Sequence, residues 1–182
     1  RSIAIQGYGK VASYLSDHLL QEGAGVIVAD INQVALDRAR KRGLGVMEDP
    51  LAIYEVDCDV FSPCALGGIL NNETIPRLKC KVVAGSANNQ LLEDHHGIML
   101  QEKGILYAPD YILNAGGVIN ISLEVGHKYD EAAAAVKVAG IYDTVNRVIN
   151  LARVNGTTTA QAADTIADER ITAMRRVKDI YL

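Results

Sequence analysis

Short runs of Val, Ile and Ala alternate with longer charged segments of helical period as far as Pro109, and this alternation narrows the fold more than any other feature. The runs are "SIAIQ" (2–6), "GVIVAD" (25–30), "DVFSP" (59–63), "KVVAG" (81–85) and "ILYAP" (105–109), with "LGVM" (44–47) as a shorter sixth. Continuous apolar runs of this length read as strands buried on both faces, as in a parallel sheet covered by its own crossovers. Residues 10–22, 32–42, 73–79 and 90–103 carry charge on one side and Leu, Val or Ala on the other, the pattern of helices that cover a sheet. The βαβα order predicts an α/β fold with a Rossmann-type, doubly wound, mostly parallel sheet over about residues 1–115.

After residue 115 the strand signals stop and a C-terminal helical extension, about 116–182, is expected, with helices over 118–127, about 130–155 and about 159–177. The middle one places Ile141, Val145, Val148 and Ala152 on one stripe. Asn155 and Gly156 punctuate its end, and Thr157 to Thr159 supply a cap for the next. At 182 residues, without a repeat or a Pro-rich linker, the chain reads as one domain.

Charge and cysteine usage exclude several classes. The net charge is −4 and the only basic run is "RARKR" (38–42), so the footprint of a nucleic-acid binder is missing and that run reads as a solvated helix end. Cys58, Cys64 and Cys80 form an odd set without C-x-x-C spacing, which suggests neither a disulfide framework nor a metal site and fits a reducing cytoplasm. No stretch approaches the ~20 apolar residues of a membrane span, and the first residues form a strand pattern rather than a signal segment.

The first crossover carries the sharpest motif. Gly7, Gly9 and Ala12 stand as G-x-G-x-x-A directly after one predicted strand and directly before a predicted helix. Gly7 permits the tight turn, Gly9 lets backbone N–H groups approach a pyrophosphate, and Ala12 allows close packing of helix on strand. The pyrophosphate would sit on the positive end of that helix. Asp30 ends the second strand, where a carboxylate can accept hydrogen bonds from the adenosine ribose hydroxyls. Its structural alternative is a cap on a helix whose first residues are Ile31 and Asn32. The same charge would repel the extra phosphate of NADP, and no arginine follows to accommodate it, so the expected cofactor is NAD.

Later strands end in "SPCALGG" (62–68), "GSANNQ" (85–90) and "PDYILNAGGVIN" (109–120). Ligands of open α/β sheets gather at the carboxyl ends of strands, so these loops are expected to face the glycine turn across one crevice. Asn88, Asn89 and Asn114 offer uncharged donors and acceptors suited to a nicotinamide, its carboxamide or a bound carboxylate, although Asn and Gly also populate turns that bind nothing. Cys64 has no identifiable helper base and reads as a small buried thiol. His95 and His96 read as solvated residues of a surface helix.

Taken together, "GYGKVA", "PCALGG", "AGSANNQL", "YAPDYILNAGGVIN" and "IYDTV" resemble, in order from Ile3 to about Ile171, the nucleotide-binding domain of the glutamate/leucine/phenylalanine/valine dehydrogenase family, its leucine dehydrogenase branch most closely. The resemblance implies an NAD-dependent oxidative deamination of an amino acid to a 2-oxo acid, ammonia and NADH. It implies that Gly7, Tyr8, Gly9, Lys10 and Val11 form the pyrophosphate turn, that Asp30 and Ile31 meet the adenosine ribose, and that Ala65 and Leu66 form an adenosine-side loop. Ser86, Ala87 and Asn88 match the loop beside the nicotinamide, with Asn114 near it, and Asn88 also matches an asparagine that holds the substrate carboxylate. Val118 and Ile121 match positions lining the substrate side-chain pocket. Both are branched aliphatics, which tilts the expectation toward leucine, valine or isoleucine.

One departure stands out. Family members carry a glycine-rich lysine motif, a second lysine and an acid in a preceding substrate domain, yet Gly67-Gly68 here is followed by Ile69-Leu70 and Gly116-Gly117 by Val118-Ile119. No catalytic residue and no metal ligand is therefore assigned. The expectation is the cofactor half of a two-domain enzyme, with the substrate domain upstream of Arg1, inactive alone and a homo-oligomer when full length. Some apolar surface of the helices would then be left bare. Alternatives are a phenylalanine- or tryptophan-type enzyme, or a non-catalytic NAD-sensing module, which gives no reason for Asn88, Gly116 and Gly117 to line a nicotinamide end. A hydroxy-acid dehydrogenase would need a histidine with a carboxylate partner at the sheet edge, and none is evident.

Overall fold

The computed structural model describes residues 1–125 and 129–180. Its sheet contains β1 (Ser2–Gln6), β2 (Gly25–Ala29), β3 (Gly45–Met47), β4 (Val60–Pro63), β5 (Val82–Val83) and β6 (Leu106–Tyr107), in spatial order 3-2-1-4-5-6. Each of these pairings is parallel, so "mostly parallel" becomes parallel throughout. All six expected strands are present, the last two shortened to a pair of residues each. The order reverses between β1 and β4, where the chain switches from building one side of the sheet to building the other.

Side-chain alternation splits the core into two layers. Ile3, Ile5, Val26 and Val28 face α1 (Lys10–Gln21) and α2 (Gln33–Lys41), meeting Ala12, Ala35, Leu36 and Ala39. Ala4, Ala29, Phe61 and Val83 face the opposite way, onto Tyr54, Leu70, Ile75 and, from α3 (His95–Glu102), Leu100. A period of two with both faces covered explains why these runs look continuously apolar in sequence.

The remaining helices are α4 (Asp110–Leu113), α5 (Gly116–Glu124), α6 (Glu131–Asn155) and α7 (Thr159–Ile180). α6 runs against α4, α5 and α7, and its stripe buries Val148 and Ala152 against Ala162 and Ala163, with Ile141 and Val145 half-buried. Gly156 ends α6 in the left-handed conformation at φ 66°. Thr158 then caps α7 reciprocally: its hydroxyl accepts from Gln161 N–H at 3.2 Å, and its own N–H donates to Gln161 Oε1 at 3.1 Å. The Thr159 hydroxyl donates to the Tyr107 carbonyl at 2.6 Å, tying the extension to the sheet edge.

Three expectations are corrected. Residues 73–79 form only a 3₁₀ turn at Ile75–Arg77, because Asn71 Oδ1 takes the N–H groups of Glu73 and Thr74 and Pro76 has none to give. The helix expected over 90–103 begins only at His95. His96 is enclosed rather than solvated, because the segment before the helix and the loop at Asn72 close on its ring: its Nδ1 accepts from Glu93 N–H at 2.9 Å, and its Nε2 lies 3.2 Å from Asn72 Oδ1. The one-turn α4 went unanticipated, and α5 starts at Gly116 rather than 118. Positions 126–127 of the expected helix, and 181–182 of the extension, lie outside the described residues. Among the described residues no helix is long and apolar enough to cross a membrane.

Candidate functional site at the carboxyl rim of the sheet

The glycine turn after β1 is built by backbone geometry. Gly7 has φ +88°, and a Cβ there would meet Ala65 Cβ at 2.6 Å, so both its conformation and its neighbour require glycine. Its N–H donates to Ala29 O at 2.7 Å, which carries the β1–β2 ladder one step past the strands. Gly9 is the residue from which α1 springs; no side chain caps that helix and its first turn holds no acid. A Cβ on Gly9 would point into open space, with nothing within 4 Å. Uncapped N–H groups on a helix start, facing a cradle that a side chain would fill, fit a phosphate.

Asp30, one residue beyond β2, reaches back to this turn. Its Oδ2 accepts from Tyr8 N–H at 2.6 Å and its Oδ1 from Asn32 N–H at 2.7 Å. The helix cap is Asn32 itself, whose Oδ1 accepts from Val34 N–H at 2.9 Å, so the simple capping role considered for Asp30 belongs to its neighbour. Each oxygen of a carboxylate can accept a second hydrogen bond, which leaves Asp30 capacity for hydroxyl donors.

The other loops continue the rim in strand order. Ala65 and Leu66, after β4, are exposed, and Ala65 abuts Gly7. A Cβ on Gly67 would meet Asn88 O at 2.6 Å and Asn89 O at 2.9 Å, so this loop presses directly on the one after β5. Asn88 Oδ1 in turn accepts from Asn114 Nδ2 at 2.5 Å, from the turn after β6. Contacts thus run without a break from Asp30 through Tyr8, Gly7, Ala65, Gly67 and Asn88 to Asn114, along the carboxyl ends of β2, β1, β4, β5 and β6.

Several expected residues stand apart from the rim surface. The Tyr8 side chain is buried beneath α1, its hydroxyl 3.4 Å from Ser16 Oγ and accepting from Arg42 Nη1 at 3.3 Å, so only its backbone belongs to the turn. Ala87 is buried, its N–H donating to Pro63 O at 3.0 Å, and Ser86 is half-buried. Lys10, Val11, Ile31 and Leu66 are exposed, Ile31 at 92%. Val118 and Ile121, on α5, are exposed at 72% and 61%. Cys64 is half-buried with its Sγ 3.5 Å from Ser62 Oγ. Burial pushes the Cys58 thiol up and that of Cys80 up to about 11, which makes both inert.

Two residues at the rim are not singled out by the sequence motifs. Asp110 is 6% exposed and accepts from Asn89 N–H at 2.6 Å and from the Tyr107 hydroxyl at 2.8 Å. Gln90 is fully buried, its Nε2 donating to the carbonyls of Gly85 and Ala87. The available signal was an acid between two tyrosines at a strand end, "YAPDY".

Strand order and the glycine-turned first crossover define the class: a Rossmann-type parallel α/β domain. Residues 30–180 match the profile of the Glutamate/Leucine/Phenylalanine/Valine dehydrogenase family, and the chain belongs to that family. It is 53% identical over 180 residues to the leucine dehydrogenase of Thermoactinomyces intermedius, covering 99% of this chain and 49% of that one. It is 43% identical to the phenylalanine dehydrogenase of Bacillus thermotolerans, covering 99% and 48%. The crystal structure of the L-tryptophan dehydrogenase from Nostoc punctiforme superposes with a TM-score of 0.91 at 43% identity, covering 96% of this chain and 52% of that one. The chain spans about half the length of the curated relatives it matches.

Proposed function

We propose that this chain is the nucleotide-holding half of an NAD-dependent amino-acid dehydrogenase, acting with a substrate domain on a branched-chain L-amino acid such as leucine. The observation that carries the reading is the unbroken rim from Asp30 to Asn114. When bound, NAD would supply the hydride acceptor for the α-carbon of the amino acid, whose deamination yields a 2-oxo acid and ammonia.

The chain's own residues bind and orient. Gly9, Lys10 and Val11 at the start of α1 would hold the pyrophosphate on uncapped N–H groups and the positive helix end. Asp30 would accept the ribose hydroxyls with its remaining lone pairs while bracing the turn, and exposed Ile31 and Leu66, beside Ala65, would flank the adenosine. Ser86, Ala87, Asn88 and Asn114 would form the nicotinamide side, with Asn88 also offered to the substrate carboxylate. Val118 and Ile121 would supply part of an aliphatic wall, left exposed here because the opposing wall belongs to the substrate domain. The water-activating lysine and acid belong to that domain too, so the 182-residue chain is inactive by itself.

Similarity to phenylalanine and tryptophan dehydrogenases at 43% identity supports a second reading, an aromatic substrate. The aliphatic pair 118 and 121 favours the branched-chain one, by the ~1–3 kcal/mol that a methylene or two is worth in an apolar pocket.

Calorimetric titration tests the cofactor. NAD is expected to bind more tightly than NADP, and Asp30→Ala to weaken that preference; equal affinities in the unmutated chain would falsify it. Fusing a leucine dehydrogenase substrate domain upstream of Arg1 is expected to produce leucine-dependent NADH formation. A folded but inactive fusion that still binds NAD would favour a sensing module.

A further inference from the structure

We infer that Asp110 is a positioning residue for the nicotinamide-side loop: it holds Asn89 in a left-handed turn and so fixes where the Asn88 carboxamide stands. The inference rests on the nucleotide-binding reading above.

Asn89, at φ 51°, is the one non-glycine residue with positive φ among the described residues. That region crowds an L side chain, although Asn tolerates it better than most. Such a conformation persists where its surroundings over-determine it, and here they do. The Asn89 N–H is taken by Asp110 Oδ2 at 2.6 Å and the Asn89 carbonyl accepts from Gly68 N–H at 2.7 Å. Just before it in the chain, the carbonyls of Gly85 and Ala87 are pinned by buried Gln90 at 2.9 and 3.0 Å.

Asp110 is the charged member of this set and arrives from 21 residues further along the chain. Its other oxygen accepts from the Tyr107 hydroxyl at 2.8 Å. Burial first, and then this hydrogen bond, push the Tyr107 phenol far above its ordinary range, so the phenol remains a donor and Oδ2 is left to Asn89. A charged acceptor on a backbone N–H in an enclosed site is a strong tie.

The same one-turn helix holds the neighbouring residue. Asn114 N–H donates to Asp110 O at 2.8 Å, and Asn114 Nδ2 donates to Asn88 Oδ1 at 2.5 Å. α4 is therefore a two-point clamp, with Asp110 gripping Asn89 and Asn114 gripping Asn88. Because the carbonyl oxygen of Asn88 is engaged, its amide N–H groups are what the site offers. A group that presents an acceptor oxygen, as a carboxamide or a carboxylate does, fits those donors.

The test compares NAD with ADP-ribose, which lacks the nicotinamide, by calorimetric titration of the 182-residue chain, Asp110→Ala and Asp110→Asn. The unmutated chain is expected to bind NAD more tightly than ADP-ribose. Asp110→Ala is expected to shrink that ratio by about five- to tenfold, one hydrogen bond's worth, with ADP-ribose affinity unchanged within about twofold. Asp110→Asn keeps an acceptor for Asn89 N–H and should recover part of the ratio. An unaltered ratio in Asp110→Ala, or equal weakening of both ligands, overturns the inference; if the alanine variant does not fold, Asp110→Leu, which fills similar space and offers no acceptor, is read by the same criterion. Binding of ADP-ribose with no gain from nicotinamide in the unmutated chain overturns it while leaving the adenosine side intact. Failure to bind either ligand overturns the nucleotide-binding reading itself.

Discussion

The sheet and the helical extension bury their side chains very differently. In the sheet half, Ala4, Ile5, Val28, Phe61 and Val83 are sealed between helices on both faces. In the extension, α5 buries none of its residues and the 25-residue α6 buries only Ala134, Val148 and Ala152. Meanwhile Val118, Ile121, Val136, Tyr142 and Val154 stay exposed. The sheet half is thus enclosed on both faces, while the extension packs mainly along the Val148–Ala163 seam and leaves branched and aromatic side chains exposed along its helices.

This contrast can be broken by mutation. The largest effect belongs to the sheet: Phe61→Ala, at a site 1% exposed, is expected to cost about 3–5 kcal/mol in chemical denaturation. Gly7→Ala comes next, at about 1–3 kcal/mol for the left-handed conformation and more from the contact with Ala65 Cβ. In the extension the most costly polar change should be Thr158→Ala, about 0.5–2 kcal/mol through loss of the reciprocal cap. Val136→Ala, at 74% exposure, should change stability by no more than ~0.5 kcal/mol. If Val136→Ala destabilised the isolated chain as much as Phe61→Ala does, the extension would be an integral part of the core.

The smallest effect is a pH dependence at the amino-terminal edge of the sheet. Hydrogen bonding to Lys81, followed by the Ser2 N–H, holds the Asp59 carboxyl down to about 2. A lowered folded-state value contributes stability that is complete above the ordinary carboxylate range near ~4 and is lost as pH falls toward about 2. Asp59→Asn should therefore lower Tm slightly at neutral pH, with the difference closing in that acid window. A difference that persisted at pH ~2 would mean Asp59 acts by packing rather than charge.

Legibility in the sequence followed the range of the interactions involved. β1 and β2 were readable because runs of branched residues between breakers specify them locally, and Gly7, Gly9 and Asp30 because spacing along one crossover specifies the turn. The 3₁₀ turn at 75–77 reads as a helix in the sequence, since the competition from Asn71 and Thr74 shows only when the side chains are placed. His96 reads as solvated because nothing in the sequence shows that Glu93 N–H and Asn72 Oδ1 close on its ring. Asp110 and Gln90 were missed for a related reason: their role is to satisfy backbone groups of a loop, and nothing in composition or period announces such a pairing.

Cofactor engineering at Asp30 meets a built-in constraint. The two oxygens of Asp30 splint the peptide units of Tyr8 and Asn32, quite apart from the ribose contact proposed for it. Swapping it for a small neutral residue to admit a phosphorylated ribose would slacken the bend in the same stroke. Retuning that welcomes the bulkier dinucleotide must therefore install a substitute acceptor for the orphaned Tyr8 amide, so that selectivity and stiffness, welded here into one side chain, are carried by two.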